Sequence, residues 1–228
     1  MTVAILLAAL ALSAPPPPEI SVADLVRKSV EAYGGRAALE RFPVAIQEGV
    51  VSSARRGEGR LTRIFERPRR LRVSIAYAGS SGELRVLDGS RGWRDGEDVS
   101  GTPPHTAMVL QAARMDLPLV LLQGKLVDEG TVERDGARLR ALTVPVGEGL
   151  TLTAEIDPAT GRVRRAVTRM TSAKGSVEFT TAFSDFRVVS GVLVPFHEIS
   201  YAQGQRTGET TLSSAEMLAE APTGVFRP

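Results

Sequence analysis

The sequence predicts an α+β, mainly β fold: an antiparallel, unclosed barrel of about eleven strands, with an N-terminal helix and a helical lid over the concave face. Three observations predict it. Apolar residues recur at helical spacing only near the start and in one mid-chain stretch, 103–125. Elsewhere they alternate with polar residues at period two, as in a half-buried strand. The alternating runs are separated by hairpin signals, Asp88-Gly89, Asp95-Gly96, Asp135-Gly136 and Ser190-Gly191, with no linker or repeat after Pro18.

Residues 1–18 are expected to be a signal peptide and proline-rich segment, and 19–228 a single domain. The apolar run Val3 to Leu12 is too short to span a bilayer but suits the core of a secretory signal, with small residues for cleavage near Ser13 or Ala14. Pro15 to Pro18 would end any helix there before it reached a core. The mature chain is therefore expected to be exported, and soluble after the signal is removed.

Ser21, with Asp24 three residues on, opens the first helix in a weak form of the capping box. Val22, Leu25, Val26, Val30 and Tyr33 make its apolar face, and Gly34-Gly35 stops it. A short second helix follows, Arg36 to Phe42, ending at Pro43. Alternating strands then run through Leu61–Glu66 and Leu71–Tyr77, and later through Leu150–Asp157 and Val177–Phe183. Between them, 103–125 reads as helix, split by Pro118, with Asp116 expected to cap its second piece. A sheet this long curls under its own twist, so its concave face needs a cover, which the helices supply while leaving room for a cavity.

Composition narrows the function. Only three residues are lysine, so 25 of the 28 basic residues are arginine, yet the net charge is just +2, which argues against a nucleic-acid partner. With no cysteine there are no disulfides, thiolate metal sites or thiol nucleophiles. His197 and His105 are the only histidines and come from unrelated contexts, so neither a metal site nor a general base is expected. No G-x-S-x-G elbow, P-loop or G-x-G-x-x-G is present. The acidic cluster in "WRDGED" is explained by a hairpin turn at Asp95-Gly96. No catalytic residue and no cofactor is expected.

Residues 55–72 hold eight arginines against two glutamates. They suit either the solvated face of two strands or contact between Arg55–Arg72 and an anionic membrane surface. The stripe Met108, Ala112, Met115, Leu119 and Leu122, on one helical face, is expected to line the cavity together with Trp93, Phe179 and Phe183. The same bulky side chains could instead fill it.

Several stretches, in order, resemble the LolA/LolB-like superfamily of periplasmic carriers and receptors that move lipoproteins across the Gram-negative envelope. They are "EAYGGRAALER" at 31–41, "RPRRLRVSI" at 67–75, "VLDGSRGWRDG" at 86–96, "EIDPATGRVRR" at 155–165, "FSDFRVVSGVLVPFHEISY" at 183–201 and the closing "GVFRP". The resemblance implies a half-barrel around a helical lid, with an apolar cavity for lipid or for the acyl chains of a lipoprotein. It also implies an arginine inside the cavity that holds the closed state, without assigning it to a position here. Related domains serve as non-catalytic envelope interaction modules or stress sensors. That is the alternative to a carrier: the same fold with a vestigial cavity.

Overall fold

The computed structural model describes residues 20–79, 81–173 and 175–228, so the expected signal segment at 1–18 lies outside the described residues. The chain begins with α1 (Val22–Ala32) and α2 (Gly35–Arg41). Ser21 caps α1 as its sequence predicts: the Asp24 backbone N–H donates to Ser21 Oγ at 3.1 Å, and the hydroxyl donates to the Asp24 carboxylate at 2.7 Å. Six strands follow: β1 (Val44–Ser53), β2 (Gly57–Glu66), β3 (Arg70–Tyr77), β4 (Glu83–Asp88), β5 (Arg91–Arg94) and β6 (Glu97–Asp98). Helices α3 (Pro103–Met115) and α4 (Leu117–Gln123) interrupt the sheet. It resumes with β7 (Val127–Arg134), β8 (Ala137–Gly147), β9 (Leu150–Ile156), β10 (Val163–Ser172), β11 (Gly175–Val189), β12 (Val192–Ala202) and β13 (Gln205–Leu218).

Among the described residues the thirteen strands form one antiparallel sheet in the order β6-β5-β4-β3-β2-β1-β13-β12-β11-β10-β9-β8-β7. Only the β1–β13 pairing joins strands distant in sequence, with Val44 opposite Leu218 and Ser53 opposite Gly208. The sheet has two strands more than the expected eleven, and its short β5–β6 hairpin is built on the Asp95-Gly96 turn. The first and last strands of the order do not pair, so the barrel is unclosed.

Contacts of α3 show the curvature. It packs against β3, β4 and β5 and also against β9, eight places from β4 in the strand order. At about 4.8 Å per strand a flat sheet would hold β4 and β9 close to 40 Å apart, far more than the width of one helix. The sheet must therefore wrap α3.

The two faces of the sheet bury two separate clusters. The concave one joins Phe65, Val73, Leu87, Leu142, Leu152 and Phe196 to Leu25 of α1, Met108 of α3 and Leu121 of α4. On the opposite face, Val44, Ile64 and Val86 are covered by Phe226 from the C-terminal tail. The alternation along each strand enforces this division: Val44 and Ala45, Ile64 and Phe65, Val86 and Leu87 fall in opposite clusters. No helix among the described residues is long and apolar enough to cross a membrane.

Candidate ligand cavity between sheet and helices

Two cavities lie between the concave face and the helices. The smaller, of about 70 Å³, is mostly apolar, with Tyr33, Phe65, Met115, Phe183, Val194 and Met217 in its wall. The larger, of about 350 Å³, is lined by Tyr77, Arg85, Gln111, Thr168, Phe179 and Thr181 among others. Arg63, Arg114 and Glu198 line both and form the partition between them.

The partition is ionic and buried. Arg63 is 3% exposed and Glu198 5%. The two Arg63 terminal nitrogens donate to the two Glu198 oxygens at 3.2 and 2.5 Å, and Nε donates to Gln47 Oε1 at 2.7 Å. Arg63 on β2 and Glu198 on β12 are thus joined face to face across β1 and β13, a bidentate geometry that a guanidinium fork favours. From α3, Arg114 reaches Glu198 Oε2 at 3.7 Å and donates to the Thr181 hydroxyl. Burial works against the Glu198 charge, but Arg63 and Arg114 outweigh it and hold the carboxyl below its ordinary range.

The larger cavity has a second buried cation. Arg85 on β4 donates to Gln111 Oε1 at 3.1 Å, and its Nε lies 3.1 Å from Glu83 Oε1, although that N–H is not aimed at an acceptor. Burial pulls the Arg85 and Arg114 guanidiniums below their ordinary pKa; Glu83 and Glu198, respectively, only partly oppose this. At the edge of the smaller cavity, Arg67 Nε donates to Asp116 Oδ1 at 2.6 Å, and another Arg67 nitrogen donates to the Phe42 carbonyl at 2.7 Å. Asp116 stands at the α3–α4 junction but makes no side-chain cap to α4, because its carboxylate is turned to Arg67 instead. Burial pushes its pKa up to about 6 despite Arg67.

The residues expected to line a cavity are dispersed. Met115 and Phe183 border the smaller one and Phe179, 38% exposed, borders the larger. Met108, Ala112 and Leu119 are packed into the concave core, whereas Leu122 at the end of α4 is 40% exposed. Trp93 is on the other face of the sheet. It pairs directly with Val86, so the pleat carries it to the Val86–Phe226 cluster, where the Arg91 guanidinium lies 4.8 Å over its ring. Its neighbour Gly92 faces inward against His105 and Met108. The residues that sequence reasoning missed are Arg63, Arg85, Gln111, Arg114 and Glu198, whose only signal is a charged or amide group set among apolar neighbours of the same face.

The arginine-rich stretch 55–72 is largely consumed within the molecule. Arg63 and Arg67 turn inward, and Arg70 pairs with Glu66 and Asp88. Arg72 donates to the Val225 and Arg227 carbonyls, while Arg56 lies over the Tyr77 ring. Arg55, Arg60 and Arg69 remain exposed.

His197 belongs to a hydrogen-bonded chain: Ser184 Oγ is 2.7 Å from Nδ1, and Nε2 is 2.5 Å from Glu209 Oε1. Acyl-transfer enzymes use similar groups, but they need a substrate space and an oxyanion site beside the serine. Ser184 and His197 border neither cavity, because His197 alternates with the inward-facing Glu198. Among the described residues no group of three or more His, Cys, Asp or Glu side chains could hold a metal ion.

No protein-family model matches this sequence, and no curated protein matches it. Solved structures do. A LolA superfamily protein from Nitrosomonas europaea superposes with a TM-score of 0.55 at 12% identity, over 92% of this chain and 99% of that one. A DUF1329 family protein from Desulfovibrio piger gives 0.53 at 10% identity, over 90% and 97%. The chain shares the unclosed-barrel fold of these structures, the fold that the ordered motifs of its sequence imply.

Proposed function

We propose that this chain is a non-catalytic periplasmic protein that binds and carries a hydrophobic ligand, a lipid or an acylated molecule, between its curved sheet and helical cover. One observation carries the reading: two cavities share a wall beneath α3, and the larger, about 350 Å³, falls within the range of small-molecule sites. Each methylene lodged against the apolar walls contributes ~0.8 kcal/mol, so affinity needs no reactive group. The volumes suit a single chain. The LolA-like fold supports lipid as the ligand class by analogy. The position of Ser184 and His197 outside both cavities supports a role without catalysis. The apolar run at 3–12 supports export to the periplasm.

A second reading, an interaction module with a vestigial cavity, is favoured by how little apolar void remains: about 70 Å³, with Phe183 packed into the core. The test is to purify the protein from its host envelope, extract it and identify small molecules by mass spectrometry. A co-purifying amphiphile at near-equal molar amount is expected. A protein that emerges empty and binds no alkyl compound in vitro, while retaining a protein partner, would establish the second reading instead.

A further inference from the structure

The walls of the larger cavity are unlike those of a store for hydrocarbon alone. Arg63, Arg85 and Arg114 face it from β2, β4 and α3, and the carboxylates in its wall are Glu83, Glu198 and Glu209. Each carboxylate is already committed. Glu198 is held by both terminal nitrogens of Arg63, and its distance to Arg114, 3.7 Å, is beyond a hydrogen bond. Glu83 is shared between Arg85 at 3.1 Å, Arg56 at 3.4 Å and Arg94 at 3.7 Å. Glu209 is engaged by His197 and Arg206. Arg85 and Arg114 are therefore left with neutral partners or shared ones: the Gln111 amide, the Thr181 hydroxyl and carboxylates that other arginines hold.

A guanidinium withdrawn from water without its own counter-charge is costly to the fold, and an arriving anion offsets that cost. Guanidinium forks fit phosphate and carboxylate oxygens alike. The partition Arg63–Glu198–Arg114 meanwhile puts this charged chamber directly beside the apolar cavity with Phe65, Met115, Phe183 and Val194 in its wall. Head and tail sites thus adjoin.

Resting on the carrier reading above, we infer that the larger cavity is a headgroup site: its ligand is a single-chain amphiphile whose phosphate or carboxylate sits against Arg85 and Arg114, with the chain reaching past the Arg63–Glu198 pair into the apolar cavity. A purely neutral lipid leaves both cations with only neutral groups and carboxylates shared with other arginines, so the ligand class is an anionic amphiphile.

The experiment titrates the whole folded protein by calorimetry with octyl phosphate, octan-1-ol and inorganic phosphate, each below its aggregation concentration. Octyl phosphate is expected to bind at least roughly tenfold more tightly than octan-1-ol, and inorganic phosphate more weakly than either. Arg85→Gln and Arg114→Gln should each reduce the preference for octyl phosphate over octan-1-ol by roughly tenfold. Arg85→Lys, which keeps the charge, should retain much of that preference. Equal binding of octyl phosphate and octan-1-ol by the unaltered protein overturns the headgroup site and leaves the carrier reading standing. Inorganic phosphate binding as tightly as octyl phosphate also overturns it, since the site then takes a free anion. If none of the three binds, both readings fall. The unaltered protein decides each of these outcomes, so a variant that fails to fold does not remove the test.

Discussion

Arg63 and Glu198 are 135 residues apart in sequence and share two hydrogen bonds in a site almost closed to water. Such a pair contributes little net stability, because desolvation offsets attraction, yet losing one partner strands the other. Arg63→Met is therefore expected to lower unfolding free energy by about 3–5 kcal/mol in urea denaturation, whereas Arg63→Met with Glu198→Met should recover part of the loss, Arg114 then being left with the Thr181 hydroxyl. Additive costs in the double variant would show that the two charges are solvated through the cavity and not dependent on each other. Asp116 gives a pH-dependent counterpart. Its carboxyl is nearly buried and its pKa rises from 3.8 unfolded to about 6 folded, so the folded chain holds that proton more tightly. The stability this supplies is full below pH 3.8 and is lost as pH rises through about 6. Relative to Asp116→Asn, which cannot titrate, the native protein should gain up to about 3 kcal/mol between about pH 7.5 and about pH 4. A difference between the two that stays constant over that interval would contradict the burial of the carboxyl.

Elements were readable where one local pattern decides them. Period two located parts of β2, β3, β9 and β11, Asp95-Gly96, Asp135-Gly136 and Ser190-Gly191 located hairpins, and the Ser21–Asp24 pair located the start of α1. What alternation could not supply was which face of the sheet each row meets. Trp93 illustrates this: only its register opposite Val86 sends it away from the cavities. In the same way, Gln111 and Arg114 interrupt the apolar pattern of α3, and the curved sheet beyond them turns that side inward. The α1–α2 junction was legible as a stop signal, but its partner was not. Gly34 has φ +107°, and a Cβ there would collide with the carbonyl oxygen of Gly191 in the β11–β12 turn, next to where Leu193 N–H donates to the Tyr33 carbonyl at 3.4 Å. Gly35, at φ +77°, has open space where its Cβ would be. Gly35→Ala should therefore cost only the left-handed backbone penalty, about 1–2 kcal/mol, with Gly34→Ala costing clearly more because the helix pair must lift from the hairpin. Thermal unfolding of the two variants measures the difference, and equal losses would mean that the junction is not seated on the turn.

At the scale of the molecule, one sheet separates two apolar clusters that need separate covers. Helices α1, α3 and α4 serve the concave side, where incomplete packing leaves the two cavities. The convex side has no helix in its cluster; residues of the C-terminal tail lie across Val44, Ile64 and Val86 instead. There Arg72 donates to two tail carbonyls at 3.2 and 2.9 Å, and the Arg70 guanidinium sits 4.5 Å over the Phe226 ring. Phe226, 3% exposed, anchors this cover. Replacing it with alanine should lower stability by about 3–5 kcal/mol, the usual cost of deleting a buried ring, and expose the β1–β2–β4 surface to a hydrophobic dye. Ligand binding should not follow. None of the convex cluster borders either cavity, so Phe226→Ala, studied where it remains folded, should bind octyl phosphate as the native protein does. Lost affinity in a folded Phe226→Ala protein would mean that the sheet transmits the state of one face to the other, and that tail and lid act as a single device. Retained affinity would assign the tail to stability and leave binding to the side of the sheet that the helices cover.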